Sequence, residues 1–305
     1  MNRIIITLTL IFVSFFLMGQ NTQTEKIVIG PGPEDFVLDE SNLIISCAER
    51  RKENKFTSGI WVINLDSNQQ TKFSLDLKTE RKFSPHGISF LKHEGKKYLF
   101  VVNHITSKNA EIICFELNEN KLIEVNSFQD KLIKHPNSVV GVSPEEFYYT
   151  NDIIVSGSVG HYKNGEFKLI AKGLNYANGL LMHQNILYVT STMGNKLIKL
   201  VPQKQKFKKE KIAKLKGPDN IRALGEGYLL IAGHTNIFKF VTHAKNKETI
   251  SPFVIYKTNL KTQASEIIFE DNGTLLSGGS TAIIYKNNLY IAQVFENFIL
   301  KVKLK

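Results

Sequence analysis

Apolar residues along this chain come in short runs bounded by polar and turn-forming clusters. Outside the first twenty residues, no run has a convincing helical spacing. The runs LIISC, YLFVVN, FYYTN, LYVTS, YLLIAG and LYIAQ are rich in branched and aromatic residues and read as strands. Each is followed by a second run, respectively GIWVINL, EIICFEL, GEFKLIAKG, NKLIKLV, NIFKFV and NFILKVKLK, read as its neighbouring strand. Lys163-Asn164-Gly165 and Asp271-Asn272-Gly273 are turn signals between runs. Gly157 to Gly160 reads as a flexible loop.

The runs repeat with a fixed phase. A polar residue stands roughly 10–12 residues before each first strand, at Glu34, His86, Asn137, Asn178, Asp219 and Ser280. Six units of roughly 47 residues match four-stranded blades. The expectation is an all-β chain, a six-bladed β-propeller covering residues 25–305. A jelly roll or sandwich would not explain one polar residue at the same phase of six repeats. An open sheet edge invites aggregation, so the ring must close. Glu25 to Gly30 is expected to supply the outermost strand of the last blade, beside the C-terminal strand.

The N-terminus differs from the rest. Met1-Asn2-Arg3 precedes an apolar run from Ile4 to Met18, the layout of a signal peptide over residues 1–19 or of a retained anchor. The expected location is exported: periplasmic, secreted or surface-associated.

A net charge of +11 can attract nucleic acid or anionic surfaces. The only dense basic run, Lys204 to Lys211, reads as an exposed hairpin connection, and no nucleic-acid-binding signature is present. Nucleic acid is not an expected partner, while contact with a membrane surface stays open. Cys47 and Cys114 fall on strands of neighbouring repeats, either as a disulfide in an oxidising compartment or, more economically, as two buried thiols.

In a propeller the innermost strands start beside the central axis, so the six repeat positions should meet there. Glu34 and Asp219 bring two carboxylates, and Asn137, Asn178 and Asn220 bring amide oxygens. An all-oxygen set with two negative charges suits one Ca2+ in the tunnel better than zinc or magnesium. Taken singly, each of these residues could merely open a turn or strand. His86 in the ring and His104 at the end of the next strand are candidates for the catalytic base and proton shuttle of ester or lactone hydrolysis. His234 and Phe295 are candidate pocket-lining residues; His93, His135, His161, His183 and His243 read as loop or surface positions. There is no nucleophile elbow, Walker loop or HExxH motif.

With these residues in hand, the chain resembles the paraoxonase/arylesterase family, related to the senescence-marker gluconolactonases. The likeness rests on GPEDF at Glu34, PHGIS at His86, VVNH ending at His104, VSPEEFYYTND from Val142 to Asp152, YANG at Asn178, PDNI at Asp219, and GSTA with YKNNLY near the end. It spans nearly all the chain after the leader. It implies a six-bladed propeller with calcium in its tunnel, held by Glu34, Asn137, Asn178, Asp219 and Asn220, and a dyad of His86 and His104. Lactones and aryl esters are the implied small-molecule substrates, with phosphotriesters a side activity. The family's second, structural calcium would use Asp35 and the main chain of Ile88, but Ser138 stands where the family has an aspartate. No cysteine lies at a terminus, so the disulfide that joins the chain ends of vertebrate members has no counterpart. The cover segment after TyrThrAsnAsp is reduced to about Ile153–Tyr162, which implies a more open pocket. The competing reading is a non-catalytic propeller that binds a ligand or protein at its open face.

Overall fold

The computed structural model describes residues 23–51, 57–203 and 206–304. The apolar leader lies outside them. Among the described residues, twenty-five strands form six sheets, which make the blades of a ring. Innermost strands, blades 1 to 6, are Pro33–Asp39, Pro85–His93, Pro136–Ser143, Ala177–His183, Pro218–Leu224 and Gly279–Tyr285. Five of the blades have four strands; blade 2 adds Ser74–Asp76, parallel to Lys121–Phe128. The ring closes as expected. Thr24–Val28 pairs antiparallel with Phe298–Lys303, Thr24 facing Val302 and Val28 facing Phe298.

The near-continuous apolar runs have a structural cause. Each blade is covered on both faces, so adjacent residues such as Ile44 and Ile45 are both buried, one toward blade 2 and one toward blade 6. One apolar cluster fills each of the six blade interfaces. Cys47 packs between blades 1 and 6 and Cys114 between blades 2 and 3; both are buried free thiols.

Three readings need correction. NIFKFV is not a strand: Ile237–Lys245 is a helix in the connection between the second and third strands of blade 5. The Asn236 side chain caps it by accepting from Lys239 N at 3.1 Å, and the third strand is Phe253–Asn259. Gly157 to Gly160 is not a loop but the start of the strand Gly157–Lys163, which lies between FYYTN and GEFKLIAKG, so that Glu166–Leu174 is the outer strand of blade 3 and not the neighbour of Glu146–Asn151. Its glycines are there for space, since a Cβ on Gly160 would lie 2.1 Å from the Tyr149 ring. The basic run is mostly strand, Lys206–Lys214 forming the outer edge of blade 4. A row of lysines there guards an edge against pairing with another chain. Among the described residues, no helix is long and apolar enough to cross a membrane.

Candidate active site

Every repeat residue is the second residue of an innermost strand: Glu34, His86, Asn137, Asn178, Asp219 and Ser280. All six strands carry a register shift at this point, between Pro33 and Asp35, Pro85 and Ile88, Pro136 and Val139, Ala177 and Leu180, Pro218 and Ile221, Gly279 and Thr281. The ring residues are therefore the ones left out of the ladder. A bulge frees a side chain from the alternation of the pleat and re-aims it, here toward the axis. Four of the six strands begin with proline, which tolerates the first strand position because it donates no ladder hydrogen bond there.

Neighbouring blades hold the ring rigidly. Thr150 Oγ1 donates to the carbonyl of Asn178 at 2.7 Å, Thr190 Oγ1 to that of Asp219 at 2.7 Å, and Ser280 Oγ to that of Glu34 at 2.6 Å. Ser280 thus positions a neighbour. Gly87 and Gly179 let the strands approach. A Cβ on Gly87 would sit 2.2 Å from the Asn137 carbonyl, and one on Gly179 would sit 2.6 Å from that of Asp219.

Four of the five expected metal ligands share one property. Glu34 Oε2, Asn137 Oδ1, Asn178 Oδ1 and Asn220 Oδ1 are all buried without a hydrogen-bond partner. Other polar atoms of Glu34, Asn137 and Asn220 are committed. Asn220 Nδ2 donates to Glu34 Oε1 at 2.9 Å and to Thr281 Oγ1 at 2.9 Å, and Asn137 Nδ2 donates to Asp152 Oδ2 at 3.2 Å. Buried oxygens are rarely left unpaired, and four at the starts of innermost strands, from blades 1, 3, 4 and 5, fit an oxygen-seeking cation. Among the described residues there is no metal-holding cluster of three His, Cys, Asp or Glu side chains; the donors here are mostly carboxamides. Asp219 Oδ2 bonds His234 Nε2 at 2.9 Å. Glu34 is pushed up to about 8, first by burial and then by the charge of Asp35, with Asp219 adding to it and Arg50 and Asn220 opposing.

His86 and His104 meet edge to face, with ring centroids 5.2 Å apart at 89°. His86 Nε2 lies 3.7 Å from Glu34 Oε1, and Arg50 Nη2 donates to His86 Nδ1 at 2.9 Å. His104 bonds the main chain of Pro136. Proline has no N–H, so His104 donates to its carbonyl. Burial, then Arg50, then His135 lower His104 to about 4; burial, Arg50 and His104 hold His86 well below 6.5. Both rings are neutral near pH 7.

His234 and Phe295 belong to one aromatic wall on the ring's face. His234 lies on Phe240 with centroids 3.9 Å apart, and Phe240 lies 5.7 Å from Phe295. Arg51 packs over Phe295 at 4.4 Å, pairs with Glu296 at 2.7 Å and donates to the His243 carbonyl. His243 and His161 are buried, contrary to the reading of both as loop or surface residues. His243 bonds the Thr249 carbonyl at 2.6 Å, and His161 stacks on Tyr148 and bonds Glu146 at 2.8 Å.

The sequence reading missed Arg50, Asp152, Tyr176 and Phe240. Asp152 bonds Asn137, His135 and Tyr176, and burial raises its pKa. Its position directly after the strand Glu146–Asn151, on the connection facing the ring, was the available signal. Arg50 lies on the same kind of connection in blade 1.

A family model described as Arylesterase matches residues 53–301, a span that includes every ring position but Glu34. The chain is 29% identical over 262 residues to serum paraoxonase/arylesterase 2 of Bos taurus, covering 77% of this chain and 74% of that protein. It is 27% identical over 268 residues to serum paraoxonase/arylesterase 1 of Homo sapiens, with the same coverage. Among solved structures, a gluconolactonase from Xanthomonas campestris superposes with a TM-score of 0.62 at 11% identity, over 93% of this chain and 90% of that one. A putative gluconolactonase superposes with a TM-score of 0.59 at 12% identity, over 93% and 92%. These two likenesses speak for the fold, and the six-bladed propeller agrees with them. On the matched span and the relatives together, the chain belongs to the arylesterase family of ester-hydrolysing enzymes.

Proposed function

We propose that the chain is a calcium-dependent hydrolase of carboxylic esters, of lactonase or arylesterase type, acting on small molecules at the mouth of the tunnel. The observation that carries this reading is the meeting of four partnerless buried oxygens with a neutral imidazole pair. Glu34, Asn137, Asn178, Asp219 and Asn220 would hold the ion, which when bound supplies a Lewis acid for the substrate carbonyl oxygen.

The remaining work belongs to the chain's own groups. His104 has one ring nitrogen committed as a donor to Pro136, so the other keeps its lone pair. That nitrogen is the base that takes a proton from the attacking water and later returns it to the leaving alkoxide. His86 differs. Arginine can only donate, so Arg50 occupies the lone pair of Nδ1 and the proton stays on Nε2, on the side of Glu34. His86 is then the donor that orients water and substrate oxygen, and Arg50 fixes its tautomer. The aromatic wall of His234, Phe240 and Phe295 borders the site and excludes water from one side.

The segment expected over residues 1–19, a signal peptide or a retained anchor, favours an exported compartment for this activity. Hydrolysis of phenyl acetate and of aliphatic lactones of graded ring size, with chelator and after calcium is restored, tests the reading. Turnover that disappears with chelator and returns with calcium supports it. A chain that binds calcium yet turns over neither substrate class would be a binding propeller instead.

A further inference from the structure

We propose that Arg222 is a built-in cation that does, beneath the active-site ring, the structural work of a second metal ion. The residues expected to hold such an ion are already committed. Asp35 is fully buried, and its carboxylate accepts four hydrogen bonds. Oδ1 takes Phe36 N at 2.9 Å, Thr281 Oγ1 at 3.0 Å and Arg222 Nη2; Oδ2 takes Ile88 N at 2.9 Å. The guanidinium is itself held, Nε donating to the Phe36 carbonyl at 2.6 Å and Nη1 to that of Ile221 at 2.7 Å.

Ser138 occupies the position of Asp35 two blades on. Its Oγ accepts Leu180 N at 3.2 Å, just as Asp35 Oδ2 accepts Ile88 N, each side chain bonding the innermost strand of the next blade. The serine keeps that link but contributes no charge. This layer therefore holds one carboxylate and one guanidinium, and its charges cancel. A divalent ion added to it would leave two positive charges uncompensated in a buried place, which is strongly unfavourable.

The geometry also gives the guanidinium a mechanical part. Arg222 lies three residues beyond Asp219 on the innermost strand of blade 5, while Asp35 and Phe36 follow Glu34 on that of blade 1. Blade 6 stands between those blades. The arginine thus reaches past a blade, beneath the ring, and ties non-adjacent blades without a metal.

Calcium per chain, measured by elemental analysis after equilibration and by titration calorimetry, decides the matter with three variants. No more than one ion per chain is expected for the native protein. In chelator, Arg222→Gln should lower the midpoint of thermal unfolding by about 5–10 °C, because it strands a buried carboxylate; Arg222→Lys should recover part of the loss. Arg222→Gln combined with Ser138→Asp should gain a second calcium and regain its midpoint when calcium is added. Two ions on the native chain, an unchanged midpoint for Arg222→Gln, or a double variant that gains no ion overturns the proposal. A native chain that binds no calcium refutes the tunnel site instead, and leaves Arg222 to be judged by its melting.

Discussion

Arg50 donates from Nη2 to Nδ1 of His86 at 2.9 Å, while its Nη1 is held by the carbonyls of Gly32 and Ala48 at 3.0 Å each. The arginine is anchored to blade 1 and reaches into blade 2, so the orientation of one imidazole is set by the main chain of its neighbour. Glutamine at residue 50 should lower kcat by about 10²-fold through loss of that orientation, with little change in KM or calcium affinity. Steady-state kinetics beside calorimetry checks this; an unchanged kcat removes Arg50 from the mechanism.

His104→Gln should remove the base and cost about 10²–10⁴ in kcat/KM, with calcium binding retained. In the native enzyme the base must be neutral to act. Its pKa is lowered to about 4, so activity should persist well below the ordinary 6.5 and fall only near pH 4. A pH profile with an acid limb at the ordinary imidazole value would point to another base.

Glu34 links calcium to pH. In the metal-free fold its pKa stands at about 8 against an ordinary 4.5. A raised value means that its contribution to stability is full below about pH 4.5 and declines as pH rises toward 8. Chelated protein should therefore melt at lower temperature as pH rises through that window, and calcium should reverse the trend. Binding should release close to one proton at about pH 6 and few at about pH 9, read by calorimetry in buffers of different ionisation enthalpy. A proton count near zero at the lower pH would remove Glu34 from the ligands. Asp219→Ala should abolish binding altogether.

Burial pushes the Cys114 thiol up to about 12 and raises that of Cys47 as well. Neither should form a thiolate in the folded protein at mildly alkaline pH. A disulfide-exchange reagent should find almost no reactive thiol in native protein and both in denaturant. Rapid native labelling, or none in denaturant without a reductant, would contradict the buried free thiols.

The ring could be read from the sequence because the bulge places one polar side chain at the same phase of six otherwise apolar units. A periodic signal survives even when each instance is ambiguous, as Ser280 alone would be. The helix was hidden for the opposite reason. Ile237, Phe238, Phe240 and Val241 have strand-like propensity, and it is the Asn236 cap with the packing of Phe240 on His234 and the bonds of His243 that favour the helix. Gly157 and Gly160 concealed a strand because the space they leave is filled by other residues, Tyr149 among them. Arg50, Arg51 and Arg222 were beyond reach. Their partners lie 36, 245 and 187 positions away, respectively His86, Glu296 and Asp35, and no local pattern encodes contacts of that range. Arg222 stands three places after Asp219 in a strand that otherwise looks like its counterparts.

The pairing of Thr24–Val28 with Phe298–Lys303 sets an order of events during synthesis. Of the described strands, the one made ahead of the others is the last to find its place. Blades 1 to 5 can form as each is completed, since their strands are consecutive, but blade 6 waits for the far end of the chain. Until then Thr24–Val28 lacks its partner, and joining it brings together residues as far apart as Glu25 and Lys301, 276 positions, which makes this step slow compared with the local hairpins. A propeller so built stays open until Phe298–Lys303 has been made.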